Sequence, residues 1–150
     1  MIGIRHTGIY VQNLEKMKEF YCDNFSMMVA VHDIEKGKYI DTVLGLRSCE
    51  IELYKLRCIN GTMIELLKRK DCQNPMYKFD GGEILTNTGC IHIALTVDDV
   101  DQTYQKLCKQ GVEFISYPCT APSGKAKVCF CKDIEGNYLE LVEECNEELC

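Results

Sequence analysis

Four residues have the types and the placement for metal or acid–base chemistry: His6, Glu65, His92 and Glu140. His92 lies in CIHIALTVDDV, residues 90–100, an apolar strand pattern that runs straight into a helix start. Residues 4–14, IRHTGIYVQNL, repeat that pattern, setting His6 against His92, Gly8 against Ala94, Val11 against Val97 and Asn13 against Asp99. Further on, Gly61-Thr62-Met63-Ile64-Glu65-Leu66 parallels Gly136-Asn137-Tyr138-Leu139-Glu140-Leu141, so each half closes on a strand carrying one glutamate. Two imidazoles and two carboxylates suit a divalent ion of intermediate softness, Ni, Co, Fe, Mn or Zn, and an octahedral site would keep two positions for water or substrate. A buried carboxylate without compensation costs several kcal/mol, so its recurrence at equivalent places in a duplicated unit points to a shared purpose.

The elements that must position these residues are legible from periodicity. Residues 2–11 read as a half-buried strand with Ile4, His6 and Gly8 on the inward side. Asn13 then caps a helix with Leu14, Met17, Tyr21 and Phe25 at helical spacing, ending near Asp23-Asn24. A strand is expected over 27–33, a loop with a short helical piece over 34–47, and a strand over 49–57 that sets Cys49, Ile51 and Leu53 against a wet face of Glu50, Glu52 and Tyr54. Asn60-Gly61 predicts a tight two-residue turn with φ > 0 at both positions. The returning strand, 63–68, places Glu65 on one face with Met63 and Leu67. Residues 69–89 lose all periodicity and read as a linker.

The second half repeats the plan. It has a strand over 91–97, an Asp99 cap, and a helix with Val100, Tyr104, Leu107 and Cys108 on one side, ending at Gly111. A strand VEFISY, 112–117, a Pro/Gly loop through 127, a strand 128–132, a turn DIEG and a strand 137–143 complete it, before an acidic tail. The expectation is therefore an α+β fold: one domain, 1–150, of tandem βαβββ modules, 2–68 and 90–144. Their curved mixed sheets would close into a metal-binding cup.

A net charge of −6 with a pI near 5.1 gives no basic stripe for nucleic acid or an anionic membrane. No apolar run approaches the roughly 20 residues that span a bilayer, and no export signal opens the chain, so a cytoplasmic protein is expected. The eleven cysteines are odd in number, lack a CxxC pair and scatter without framework spacing. They read as small apolar fillers in a reducing compartment.

The segments RHTGIYVQNLEKMKEFY, GTMIELL, GCIHIALTVDDVDQTYQKLCKQGVEF and KDIEGNYLELVE resemble the vicinal-oxygen-chelate superfamily over most of residues 4–143. That superfamily includes glyoxalase I, bleomycin-resistance proteins, extradiol dioxygenases, methylmalonyl-CoA epimerase and fosfomycin-resistance enzymes. The glyoxalase I pattern places its metal ligands on His6, Glu65, His92 and Glu140. The resemblance implies one divalent ion acting as a Lewis acid beside a carbonyl and hydroxyl pair of a small substrate. One carboxylate, Glu140 with Glu65 as its near-symmetric rival, would move a proton between neighbouring carbons. It also implies a homodimer.

Departures from the pattern shape the alternatives. Glutathione-dependent glyoxalase I has an arginine four residues after the first histidine, where this chain has Tyr10. A methylmalonyl-CoA-epimerase-like isomerase commonly shows paired histidines at the second ligand position, here Ile91-His92. A ring-cleaving dioxygenase needs two histidines and one carboxylate, which leaves Glu65 over, and a drug-binding protein of bleomycin-resistance type needs no four-ligand set. An epoxide-opening thiol transferase would need a phosphonate-binding cluster that is not found. Cys90, Tyr138 and Met63 share strand faces with the four residues, and Lys125 and Lys127 are candidate cations for an anionic substrate.

Overall fold

Each histidine sits at or just before the start of a strand that lies beside the strand carrying its glutamate, and the rest of each half is built around that pairing. The computed structural model describes residues 3–70, 72 and 89–145. The chain divides into two compact units, Met1–Tyr77 and Lys78–Cys150. The first unit runs β1 (Thr7–Tyr10), α1 (Leu14–Phe25), β2 (Met28–Lys36), α2 (Lys38–Leu44), β3 (Glu50–Arg57) and β4 (Met63–Arg69). The second runs β5 (His92–Thr96), α3 (Val100–Lys109), β6 (Cys119–Thr120), β7 (Ala126–Lys132) and β8 (Tyr138–Glu144). Each unit forms a four-stranded mixed sheet, in the orders β1-β4-β3-β2 and β5-β8-β7-β6. The first strand pairs parallel with the last, and every other pairing is antiparallel. This is the expected α+β architecture of βαβββ modules, with α2 added to the first.

The helices cap and pack as the sequence dictates. Asn13 Oδ1 accepts the Lys16 N–H at 3.1 Å, and Asp99 Oδ1 accepts that of Gln102 at 2.8 Å. Leu14, Met17, Phe20 and Tyr21 of α1 are buried, as are Val100 and Leu107 of α3. Leu56, Leu66, Leu139 and Leu141 are fully buried within the sheets, each contributing about 1.5–3 kcal/mol of apolar burial. Because strand side chains alternate, the faces of β4 and β8 opposite these leucines carry Met63, Glu65 and Leu67, and Tyr138 and Glu140. Ile40 of α2 packs with Cys49, Ile51, Leu53 and Leu67, covering the end of the first sheet's glutamate-bearing face.

Several sequence expectations shift. The first strand starts at Thr7, leaving His6 just ahead of it, and α1 continues to Phe25. Tyr54, expected to be wet, is buried because its hydroxyl donates to Glu15 Oε1 of α1 at 2.6 Å. Cys108 is exposed on the last turn of α3. Asn60 does not take positive φ; only Gly61 does. Cys58 N–H bonds Thr62 O and Gly61 N–H bonds Cys58 O, so the connection is a three-residue turn with glycine at the left-handed position. The second unit repeats it between Asp133 and Asn137, where buried Asp133 also accepts from the N–H groups of Glu135 and Asn137.

VEFISY is not a strand. After one bridge, Phe114 with Cys131, the Ser116 hydroxyl takes the Phe130 N–H and Pro118 offers no donor, so the ladder breaks. Pairing resumes as β6, inside the segment expected to be loop. Of the expected linker, Arg69 ends β4, and 71 and 73–88 lie outside the described residues, as does the tail from 146. The ten described cysteines are free thiols, and no described helix is long and apolar enough to cross a membrane.

Candidate metal centre

In the first unit, parallel pairing sets Gly8 opposite Glu65. With no Cβ at position 8, the carboxylate has room: an added Cβ would meet Leu67 Cδ1 at 3.3 Å and Glu65 Oε2 at 4.0 Å. His6, two residues earlier on the same face, reaches that carboxylate, with Nε2 3.1 Å from Oε2. Glu65 is one of two buried polar residues among those described, at 9% exposure.

The second unit reproduces the arrangement. Ala94 sits opposite Glu140, and His92 Nε2 lies 3.2 Å from Glu140 Oε2. The Phe130 ring meets that of His92 edge-on, with centroids 5.4 Å apart at 80°. The structure thus brings His6 to Glu65 and His92 to Glu140. Among the described residues no group of three or more His, Cys, Asp or Glu side chains is gathered closely enough to hold a metal ion.

The donor set fits a divalent ion. Two donor atoms each about 2.1 Å from one ion and at right angles to each other are about 3.0 Å apart, against 3.1 and 3.2 Å here. The same distances also suit a hydrogen bond from imidazole to carboxylate. The second ring nitrogens match as well: His6 Nδ1 and His92 Nδ1 are both buried without a hydrogen-bond partner. Buried ring nitrogens are normally satisfied in structural and metal-ligating histidines alike, so what these atoms add is that both units hold their rings in the same way.

Other candidates fall differently. The third histidine, His32, stacks on Tyr54 at 4.1 Å and bonds Glu52 Oε1 at 2.9 Å, with Tyr54 paired to Leu66 and so on the face of the first sheet opposite Glu65. Cys90 is exposed, with its Sγ 3.8 Å from His92 O. Tyr138 is buried beneath the Lys132 ammonium, and Met63 is half-buried. Lys127 is engaged by Asp101 of α3, whose carboxylate holds its ammonium above the usual lysine range. One residue went unnoticed in the sequence: Lys55, whose Nζ lies 3.2 Å from Glu65 Oε1. The observed antiparallel register, with its three-residue turn, sets Lys55 directly opposite Glu65, whereas the expected two-residue turn at Asn60-Gly61 points to Leu56.

Known proteins share this architecture. The sequence matches the Glyoxalase/Bleomycin resistance protein/Dioxygenase superfamily over residues 3–141. It is 28% identical over 139 residues to a probable lactoylglutathione lyase of Synechocystis, covering 92% of each chain. It is 26% identical over 150 residues to glyoxalase I of Saccharomyces cerevisiae, covering 93% of this chain but only 44% of the yeast protein's length. The crystal structure of a glyoxalase family protein from Bacillus cereus superposes with a TM-score of 0.87 at 20% identity, covering 97% of this chain and 96% of that one. With a match that spans nearly all of its length and a βαβββ unit present twice, the chain belongs to the Glyoxalase/Bleomycin resistance protein/Dioxygenase superfamily.

Proposed function

We propose that this protein is a metal-dependent enzyme of glyoxalase I type, a lyase or isomerase that moves a proton between neighbouring carbons of a small α-oxo or α-hydroxy carbonyl substrate. His6, Glu65, His92 and Glu140 would hold one divalent ion, which when bound supplies Lewis acidity to the carbonyl oxygen. The reading needs both His–Glu pairs on that ion, with the two modules meeting within one chain or across a homodimer in a reducing cytoplasm. The observation that carries it is the repetition: a histidine Nε2 within 3.1–3.2 Å of a glutamate Oε2, at equivalent strand positions of both units.

In the step itself, a glutamate carboxylate takes the proton from one carbon and returns it to the adjacent carbon. One C–H bond breaks and one forms, with no net oxidation. Glu140 is the better placed base, since its side chain is 25% exposed against 11% for Glu65. With Gly8 and Ala94 opposite them, neither carboxylate faces a bulky residue on its parallel neighbour. Tyr10, where glutathione-dependent relatives carry arginine, argues for a thiol cosubstrate held differently or for a substrate without one.

The test is metal analysis of protein purified without chelator, for wild type, Glu65→Gln and His92→Ala, with turnover of a methylglyoxal–thiol adduct. Wild type should carry one ion per site, and both ligand variants should lose most of it. Glu140→Gln should keep more metal than activity. Equal metal content in all variants would remove the proposed site. Acyl-CoA turnover without hemithioacetal turnover would move the assignment to the epimerase class.

A further inference from the structure

The two pairs are not equivalent, and the difference lies across the sheet. Lys55 and Phe130 occupy the same place in the two modules, each directly opposite its glutamate on the adjacent antiparallel strand. In the first unit both oxygens of Glu65 are engaged, Oε2 by His6 at 3.1 Å and Oε1 by Lys55 at 3.2 Å. In the second, Glu140 meets His92 through Oε2, and its other oxygen has no hydrogen-bond or ion-pair partner among the described residues. Phe130 has no polar atom to offer it.

We infer that Lys55 is a positioning residue that fixes Glu65 as a stationary metal ligand, leaving Glu140 as the carboxylate free to carry the proton. A carboxylate held from both sides cannot rotate without breaking one charge-assisted contact. A carboxylate held through one oxygen can swing and present the other. The lysine ammonium suits the holding role, being a compact charge with three donors on a flexible stem. Its neighbours on that face, Leu53 and Leu67, are covered by α2 and limit where it can go. This inference deepens the proposed function and rests on it.

Binding of Ni(II) alone to the full chain, by competition with a chelating dye, reads the positioning role without turnover. Lys55→Met should lower affinity about 10–100-fold, the usual effect of removing a partner that orients a ligand. Lys55→Arg should restore most of it, and Lys55→Met should add nothing to Glu65→Gln, because the two act through one carboxylate. The reciprocal change, Phe130→Lys, should lower kcat for a hemithioacetal while leaving KM unchanged. Far-ultraviolet circular dichroism on each variant identifies any that does not fold, and Lys55→Gln then replaces Lys55→Met. Wild type that binds no divalent ion overturns the proposed function and this inference together. Wild type that binds, with a Lys55→Met variant that binds as tightly or a Phe130→Lys variant with full kcat, overturns this inference alone.

Discussion

Gly8 offers the sharpest separation of site geometry from stability. It has no positive φ, so an L side chain is compatible with its backbone, and its counterpart in the second unit is alanine. Gly8→Ala places a methyl 3.3 Å from Leu67 Cδ1, a half-buried side chain that need move only a few tenths of an ångström. Reduced freedom of the unfolded chain contributes about 0.4–1 kcal/mol in favour of alanine. That gain roughly offsets the squeeze, so a near-neutral change in unfolding free energy and wild-type metal affinity are expected. Gly8→Val differs in kind. Its γ carbons extend about 1.5 Å further, and one directed at Glu65 Oε2 would close the 4.0 Å contact to well below van der Waals distance. The carboxylate must then leave His6. Overpacking of this kind costs about 1–3 kcal/mol, while metal affinity should fall at least tenfold. Urea denaturation and dye competition on the same preparations measure both. A valine variant that binds nickel as tightly as wild type, or an alanine variant destabilised by more than about 2 kcal/mol, would refute the claim that position 8 is small in order to seat Glu65.

Two further predictions concern the scaffold. Asn13→Ala and Asp99→Ala remove the helix-capping acceptors of equivalent helices and should each cost about 1 kcal/mol in denaturant unfolding; a change in only one would show that the duplicated caps are not equivalent in energy. Burial pushes the Cys129 thiol up to about 11 and the Cys131 thiol up to about 12, from an ordinary 9.0. Both thiols therefore favour the folded state fully below pH 9 and lose that contribution as pH rises through their folded values, because the unfolded chain releases those protons first. Unfolding free energy should decline from about pH 9 upward, and native protein at pH 8 should leave both thiols unalkylated by iodoacetamide; rapid modification of either in folded protein would refute their burial.

The duplication made the fold readable. Matching segments at 4–14 and 90–100 fixed both histidine strands and both helix caps, since an Asn or Asp before an apolar helical stripe has few other uses. Paired glutamates in the last strands followed from the same alignment. Register and ladder breaks were not readable, because they depend on local contacts that periodicity does not encode. A two-residue turn at Asn60-Gly61 would pair Leu56 with Glu65. The three-residue turn moves the register by one and puts Lys55 there, turning every β3 side chain to the other face. Tyr54 was misjudged for the same reason, being turned towards Glu15 and α1. In VEFISY the β-branched and aromatic content argued for a strand, but the Ser116 hydroxyl competed for the Phe130 N–H and won.

That one-residue register decides more than topology. Duplication of a βαβββ unit copies whatever the backbone pairing fixes: the small residue opposite the glutamate, the histidine two places before it, the glycine in the closing turn. It does not fix the residue across the antiparallel neighbour, where a side chain can change without disturbing the pair. Lys55 and Phe130 differ at that one place, where Lys55 meets the Glu65 oxygen facing away from the histidine and Phe130 meets the His92 ring. Two matched His–Glu pairs and an asymmetric setting of their glutamates are therefore compatible. The first is set by the parallel pairs β1–β4 and β5–β8, and the second by a single cross-strand position on β3 and β7.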